Sequence, residues 1–186
     1  MKPAGNIPVS ELSERGYDSA VISEIEQSES IIEKLKAAIR KAFGDTPYPG
    51  AEYSDISATE YDDEGVYEYF VGSDQFEHPV KELRYNSVAL SFFTDEAFRY
   101  WLPAFMFAEL DDPEGADIIA ESIAYHLSAA KGAHRLILNF SDAERSATKD
   151  FLAECIRRYP DEISSECFRK ARTKIHKAEQ NGESDG

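Results

Sequence analysis

Lysine and arginine are missing from a long stretch of this chain. Between Ala42 and Val80 there is neither, whereas the same stretch carries ten acids. Over the whole sequence 36 Asp and Glu residues stand against 20 Lys and Arg, for a formal net charge of −16. Such a field repels nucleic acid and anionic membranes and favours encounter with a basic partner. We therefore expect a basic protein partner, no nucleic acid and no membrane.

Long hydrophobic runs are missing as well. No stretch approaches the roughly 18 consecutive apolar residues of a membrane span, and the N-terminal residues lack the apolar region of a secretory signal. The two cysteines, Cys155 and Cys167, fit neither a redox CxxC pair nor a zinc ligand set. These absences predict a cytoplasmic protein with reduced thiols.

The familiar catalytic and cofactor motifs are also lacking. The sequence has no P-loop, no GxGxxG, no HExxH and no GxSxG. Its four histidines, His78, His126, His134 and His176, are scattered, and no two share the four-residue spacing of a metal pair on one predicted helix. We predict no cofactor, no metal and no catalytic residue, and an enzyme is the less favoured class.

What is present is a chain that should fold. Its 186 residues are 42% hydrophobic and 12% aromatic, too apolar for a disordered protein despite the charge. We expect an irregular leader at 1–17, one globular domain at 18–178 and a disordered acidic tail at 179–186.

The periodicity predicts a helix-rich α+β fold. Apolar positions at three- and four-residue steps indicate about five helices, near 21–43, 94–112, 114–131, 141–159 and 162–177. Alternating residues rich in aromatic and β-branched side chains predict strands at 65–72 and 86–94, with 135–140 as a candidate third strand. These strands are expected to form a small antiparallel sheet. The pattern does not determine which face of strand 65–72 is buried.

The segment "TDEAFRYWLPAFMFAEL" (94–110) combines a helix cap at Thr94 with bulky residues around the whole helix circumference. We expect it to be buried on several sides, with Trp101 in the core. Pro103 cannot donate a helical hydrogen bond, so the pattern predicts a kink or a restart there.

The order "AFGDTPYPG", "YDDEGVYEYFVG", "ALSFFTDEAFRYWLPAFMFAEL" and a Ser-capped helix containing "DFL" resembles a family of small bacterial domains with a TPEAFRYYLPAFM-like signature. The resemblance covers roughly residues 38–152. Here Asp95 stands where proline is common and Trp101 where tyrosine is common. Because the family has no established activity, the resemblance implies a fold unit and a bacterial setting and assigns no catalytic residue.

The acidic segment around residue 65 is the candidate site. Acids interleaved with tyrosines suit Arg and Lys side chains of a partner, through ring faces and charge-assisted hydrogen bonds. The same carboxylates at 60–68 could also ligate a hard cation or perform acid–base chemistry. The predicted partner-binding residues are Tyr61, Asp62, Asp63, Glu64, Tyr67, Glu68 and Tyr69.

Charge asymmetry, size and the missing motifs together suggest a non-enzymatic acidic bacterial protein that binds a basic partner, in its most concrete form an immunity protein neutralising a toxin. Two alternatives stay open. One is a metal-dependent hydrolase using the 60–68 carboxylates, and the other is a plain regulatory interaction module using the basic helix 162–177.

Overall fold

A computed structural model of the chain describes residues 8–50 and 65–182. Within these ranges every regular element is a helix, so the predicted α+β fold with its antiparallel sheet is wrong. The elements are α1 (Val9–Leu12), α2 (Ser19–Phe43), α3 (Val66–Phe70), α4 (Val80–Tyr85), α5 (Ala89–Phe92), α6 (Asp95–Asp111), α7 (Pro113–Ala116), α8 (Ile119–Ser128), α9 (Ala133–Leu138), α10 (Asp142–Arg158) and α11 (Glu162–Gly182).

The predicted strand at 65–72 is instead the single helical turn α3. Val66 and Phe70 are both fully buried, and a spacing of four residues places them on the same side of a helix. Gly65 and Gly72 bound the turn with positive φ angles of 72° and 73°, which a residue with a Cβ adopts only with strain. The alternating pattern therefore wrongly indicated a strand, because the segment is too short to distinguish the periodicity of a strand from that of a helix.

The other two predicted strands fail for the same reason. In 86–94 the buried residues Asn86, Ala89 and Leu90 follow helical spacing, and the segment forms a turn after α4 followed by α5. In 135–140, α9 covers residues 135–138, and the buried Leu136 and Phe140 are four residues apart. Short apolar runs of this kind fit a buried helical turn as well as a strand.

The centre of the molecule is α6, and its predicted burial is confirmed. The hydroxyl of Thr94 caps it by accepting from the amide of Ala97 at 3.2 Å. Every residue from 101 to 110 is buried, and the indole of Trp101 is fully enclosed. The helix runs through Pro103 without the restart that the sequence allowed.

Longer helices surround α6. The amphipathic α2 packs against α6 and α10, while α8 packs against α6 and α11. The predicted helix 114–131 is divided into α7 and α8 at Asp117, whose φ of 53° is incompatible with a continuous right-handed helix. Among the described residues no helix has both the length and the apolar character required to cross a bilayer.

A buried carboxylate joins α6, α10 and the segment after α2. Glu144 is 1% exposed and forms a capping box with Ser141 at the start of α10. Its Oε1 accepts from the hydroxyl of Thr46 at 2.9 Å, and both of its oxygens accept from Nε of Arg99, at 2.8 and 3.0 Å. The side chain therefore combines a local cap with two long-range tertiary contacts.

We expect Trp101→Ala to lower the free energy of unfolding by about 3–5 kcal/mol, because it empties a fully enclosed site in the core. Urea unfolding followed by circular dichroism measures the change. Tyr85→Ala is the control, since that ring is 68% exposed and its removal should change stability by less than about 0.5 kcal/mol. Equal effects of the two substitutions would contradict the burial of the indole.

Arg99→Ala should destabilise the fold by about 3–5 kcal/mol, because it leaves the buried Glu144 carboxylate without its charged partner. Lys170→Ala removes one member of the solvent-exposed pair with Glu166 and should leave the unfolding midpoint nearly unchanged. Chemical denaturation of both variants makes the comparison. An Arg99→Ala protein as stable as Lys170→Ala would show that Glu144 is satisfied without the guanidinium.

Candidate functional site

The seven predicted contact residues divide between two parts of the chain. Tyr61, Asp62, Asp63 and Glu64 lie outside the described residues. Tyr67, Glu68 and Tyr69 lie on α3, where Glu68 is exposed and the two tyrosines are half-buried. Because Val66 and Phe70 occupy the buried side of this turn, the three predicted residues between them lie toward its outer side.

Tyr69 is fixed by the segment that follows α3. The carbonyl oxygen of Asp74 can only accept a hydrogen bond, so Nε2 of His78 carries the hydrogen and donates to it at 2.6 Å. Nδ1 of the neutral imidazole is then an acceptor, and the Tyr69 hydroxyl donates to it at 2.9 Å. Burial lowers the pKa of His78, which outweighs the opposite influence of the Asp74 carbonyl and carboxylate and favours this neutral form.

Two further tyrosines extend the aromatic surface. The hydroxyl of Tyr48 accepts from the amide of Gly72 at 2.7 Å, which ties the turn after α2 to the end of α3. Its ring meets those of Tyr100 and Trp101 edge-on, with centroids 5.4 and 6.0 Å apart. Desolvation raises the pKa of Tyr100, and the charge of Asp74 raises it further.

Four exposed acids accompany these rings. Asp74 is partly committed, because its Oδ1 accepts from the amides of Phe76 and Glu77. Glu82 is exposed in the first turn of α4, and we include it because its charge adds to the rise in the pKa of Tyr69 that burial causes. We define the acidic face as Glu68, Asp74, Glu77 and Glu82 together with Tyr48, Tyr67, Tyr69 and Tyr100.

None of the four carboxylates of the acidic face forms an ion pair with any residue that the structure describes. Some acids elsewhere are paired, as in Lys149–Glu179 at 2.6 Å and Arg157–Glu154 at 2.6 Å. The nearby Arg84 is occupied by Asp117. Lys81, beside Glu82 in sequence, is an exposed cation that adjoins the face.

Five of the eight residues of the acidic face were not among the predicted contact residues. They are Tyr48, Asp74, Glu77, Glu82 and Tyr100, and they join the face through tertiary folding, which leaves no local pattern in the sequence. For Tyr48, Asp74 and Glu77 the signal in the sequence was the lack of Lys and Arg between Ala42 and Val80, whereas Glu82 and Tyr100 lie beyond that stretch.

The geometry gives little support to a metal site or to a nucleophilic cysteine. Among the described residues no three His, Cys, Asp or Glu side chains come together as a metal site, and of the 60–68 carboxylates only Glu68 is described. Cys155 is buried in the core, and desolvation raises the pKa of its thiol well above the ordinary value. Such a thiol is a poor nucleophile because it stays protonated.

An open pocket of about 410 Å³ lies between α5 and α8. In it the hydroxyl of Ser91 is 3.3 Å from Nε2 of His126, whose pKa is lowered by burial. No carboxylate within the described ranges hydrogen-bonds to this imidazole, so the pair lacks the orienting acid of a hydrolytic triad. The pocket therefore gives weaker grounds for a function than the acidic face does.

Comparison of the chain with protein families, with curated proteins and with solved structures yields no match. The geometry and charge of the molecule itself are therefore the basis for a functional proposal.

The lowered pKa of His78 and His126 predicts a pH dependence of stability. A folded-state pKa below the ordinary value of 6.5 means that the unfolded chain takes up the proton more readily. The stabilisation is therefore complete above the unfolded-state pKa and is lost as pH falls below it. We expect urea unfolding to show stability falling from about pH 7 to about pH 5.5, and NMR to show both imidazoles titrating below 6.5.

Replacing both histidines by glutamine should flatten the pH dependence in that window, since glutamine does not titrate. An unchanged slope in the double variant would assign the pH dependence to other groups.

Proposed function

We propose that this chain is a non-enzymatic protein that binds a basic protein partner through the acidic face. The observation that carries the proposal is that four exposed carboxylates lack ion pairs within the described structure and are framed by tyrosine rings, on a chain of net charge −16. Carboxylates that gain nothing from internal pairing remain available to cations from outside.

The chemistry of the face suits arginine and lysine. A guanidinium can bind a carboxylate with two parallel hydrogen bonds and can also stack on a tyrosine ring. Tyr69 presents a fixed ring, because its hydroxyl is held by His78. Glu68 and Glu77 are exposed and supply charge at the periphery, where it mainly accelerates encounter with an oppositely charged protein.

The predicted residues Tyr61, Asp62, Asp63 and Glu64 belong to the same proposal. They directly precede Gly65 in sequence and add three acids to a segment without a basic residue. Their part in binding remains a prediction from sequence.

In its most concrete form the partner is a toxin domain with a basic cleft, and the chain is its immunity protein in the bacterial cytoplasm. Such a protein acts by rapid, charge-steered encounter followed by steric blockade of the cleft. The resemblance of the 94–106 segment to a bacterial domain family supports the bacterial setting.

The proposal predicts that Glu68→Lys combined with Glu77→Lys slows association with the partner by about tenfold or more at low ionic strength, because the steering field is reversed locally. The partner is first captured from native lysate on the immobilised wild-type chain and then purified. Stopped-flow fluorescence measures its association rate with each variant at several salt concentrations.

Glu24→Lys combined with Glu114→Lys is the matched control, because these exposed acids lie outside the acidic face and the change in net charge is the same. This pair should slow association much less. Equal slowing by both pairs would mean that the effect depends on net charge and not on the acidic face. Capture of acidic proteins alone would contradict the proposal.

A further inference from the structure

A locally positive groove runs between α10 and α11 of this otherwise acidic molecule. It has a volume of about 560 Å³. Arg169, Arg172, Thr173 and His176 line it from α11 at helical spacing, while Ser146 and Lys149 line it from α10. The opposite side of α11, including Phe168 and Ile175, is buried in the core, so packing fixes which side chains point into the groove.

Arg169 and Arg172 give the groove positive charge that no ion pair neutralises within the described structure. Lys149 is neutralised by Glu179, whose two oxygens lie 2.6 and 2.7 Å from its Nζ. Arg169 donates to the hydroxyl of Ser165 at 2.9 Å, and neither it nor Arg172 forms an ion pair with a described residue. Asp150 is the one acid among the described lining residues, so the groove keeps a net positive charge.

We propose that this groove binds a phosphate group carried by a small molecule. Two guanidiniums three residues apart on one helix face can each present paired N–H donors to a tetrahedral oxyanion. Ser146 adds a hydroxyl that hydrogen-bonds to no described residue. The hydroxyl of Thr173 is already committed, because it donates to the carbonyl of Arg169 at 2.9 Å.

Size and overall charge favour a small ligand over nucleic acid. A volume of about 560 Å³ falls in the range typical of small-molecule sites. Residues 169–177 contain five Lys and Arg and no acid, but they belong to a chain of net charge −16. A long polyanion would have to approach the acidic surface as well, whereas a compact phosphate needs only the groove.

Isothermal titration of the full chain with sodium pyrophosphate, at ionic strength matched with sodium chloride, tests the site. We expect saturable binding that weakens as salt is added. Combining Arg169→Gln with Arg172→Gln should reduce the affinity by about tenfold or more. Arg172→Lys retains the charge but loses the paired donors, and should also weaken binding measurably.

Lys34→Gln combined with Lys41→Gln is the matched control, because both lysines are exposed on α2 and the change in charge is the same. Circular dichroism and melting curves establish that each variant is folded. Absence of saturable pyrophosphate binding, or equal weakening by the lysine pair, would overturn the proposal. Tighter binding of a single-stranded oligonucleotide of about 20 nucleotides would also overturn it in favour of nucleic acid.

This site is independent of the acidic face. The variant with Glu68→Lys and Glu77→Lys should bind pyrophosphate at least as well as the wild type, so the two proposals can fail separately.

Discussion

The structure depends on burying α6 around its whole circumference. A helix with ten consecutive buried residues cannot rest on one neighbour, so the other helices must enclose it. Aromatic rings fill much of the space: Phe93 stacks on Trp101 at 5.1 Å, and Phe70 meets the same indole at 5.4 Å. The single turn α3 is thereby held on the core by Phe70 together with Val66, and the position of the acidic face follows from this packing.

Burying α6 also encloses a charged residue, and the fold provides partners for it. Glu109 is fully buried, and its Oε1 accepts from the hydroxyl of Tyr159 at 2.8 Å. Nη1 of Arg158 lies 3.7 Å from that oxygen and donates to the Glu109 carbonyl at 2.7 Å. Burial and the adjacent carboxylate both raise the pKa of Tyr159, so the phenol keeps the proton that it donates. The end of α10 is thus attached to α6 by polar contacts, in addition to the apolar contacts of the core.

Local signals in the sequence were reliable where the interaction itself is local. The caps at Thr94 and Ser141 were predicted because each depends on a hydroxyl and an amide three residues apart. The strands were wrong because Val66 and Phe70 satisfy a helical turn and a strand equally well until the core that covers them is known. Composition indicated an acidic, tyrosine-rich site, but the approach of Tyr48 to Gly72 and of Asp74 to Tyr100 depends on tertiary folding.

In this molecule some charged residues form ion pairs that stabilise the fold, whereas others are unpaired and available for binding. Arg99, Arg157 and Arg158 are matched to buried acids, where an unpaired partner would be strongly destabilising. Glu68, Glu77, Arg169 and Arg172 are exposed, where pairing contributes little to folding, and each lacks an ion pair within the described structure. The acidic and basic sets share no residue, because Glu68 lies on α3 and Glu77 between α3 and α4, whereas both arginines lie on α11. Each surface can therefore attract its own ligand while the enclosed α6 maintains the fold.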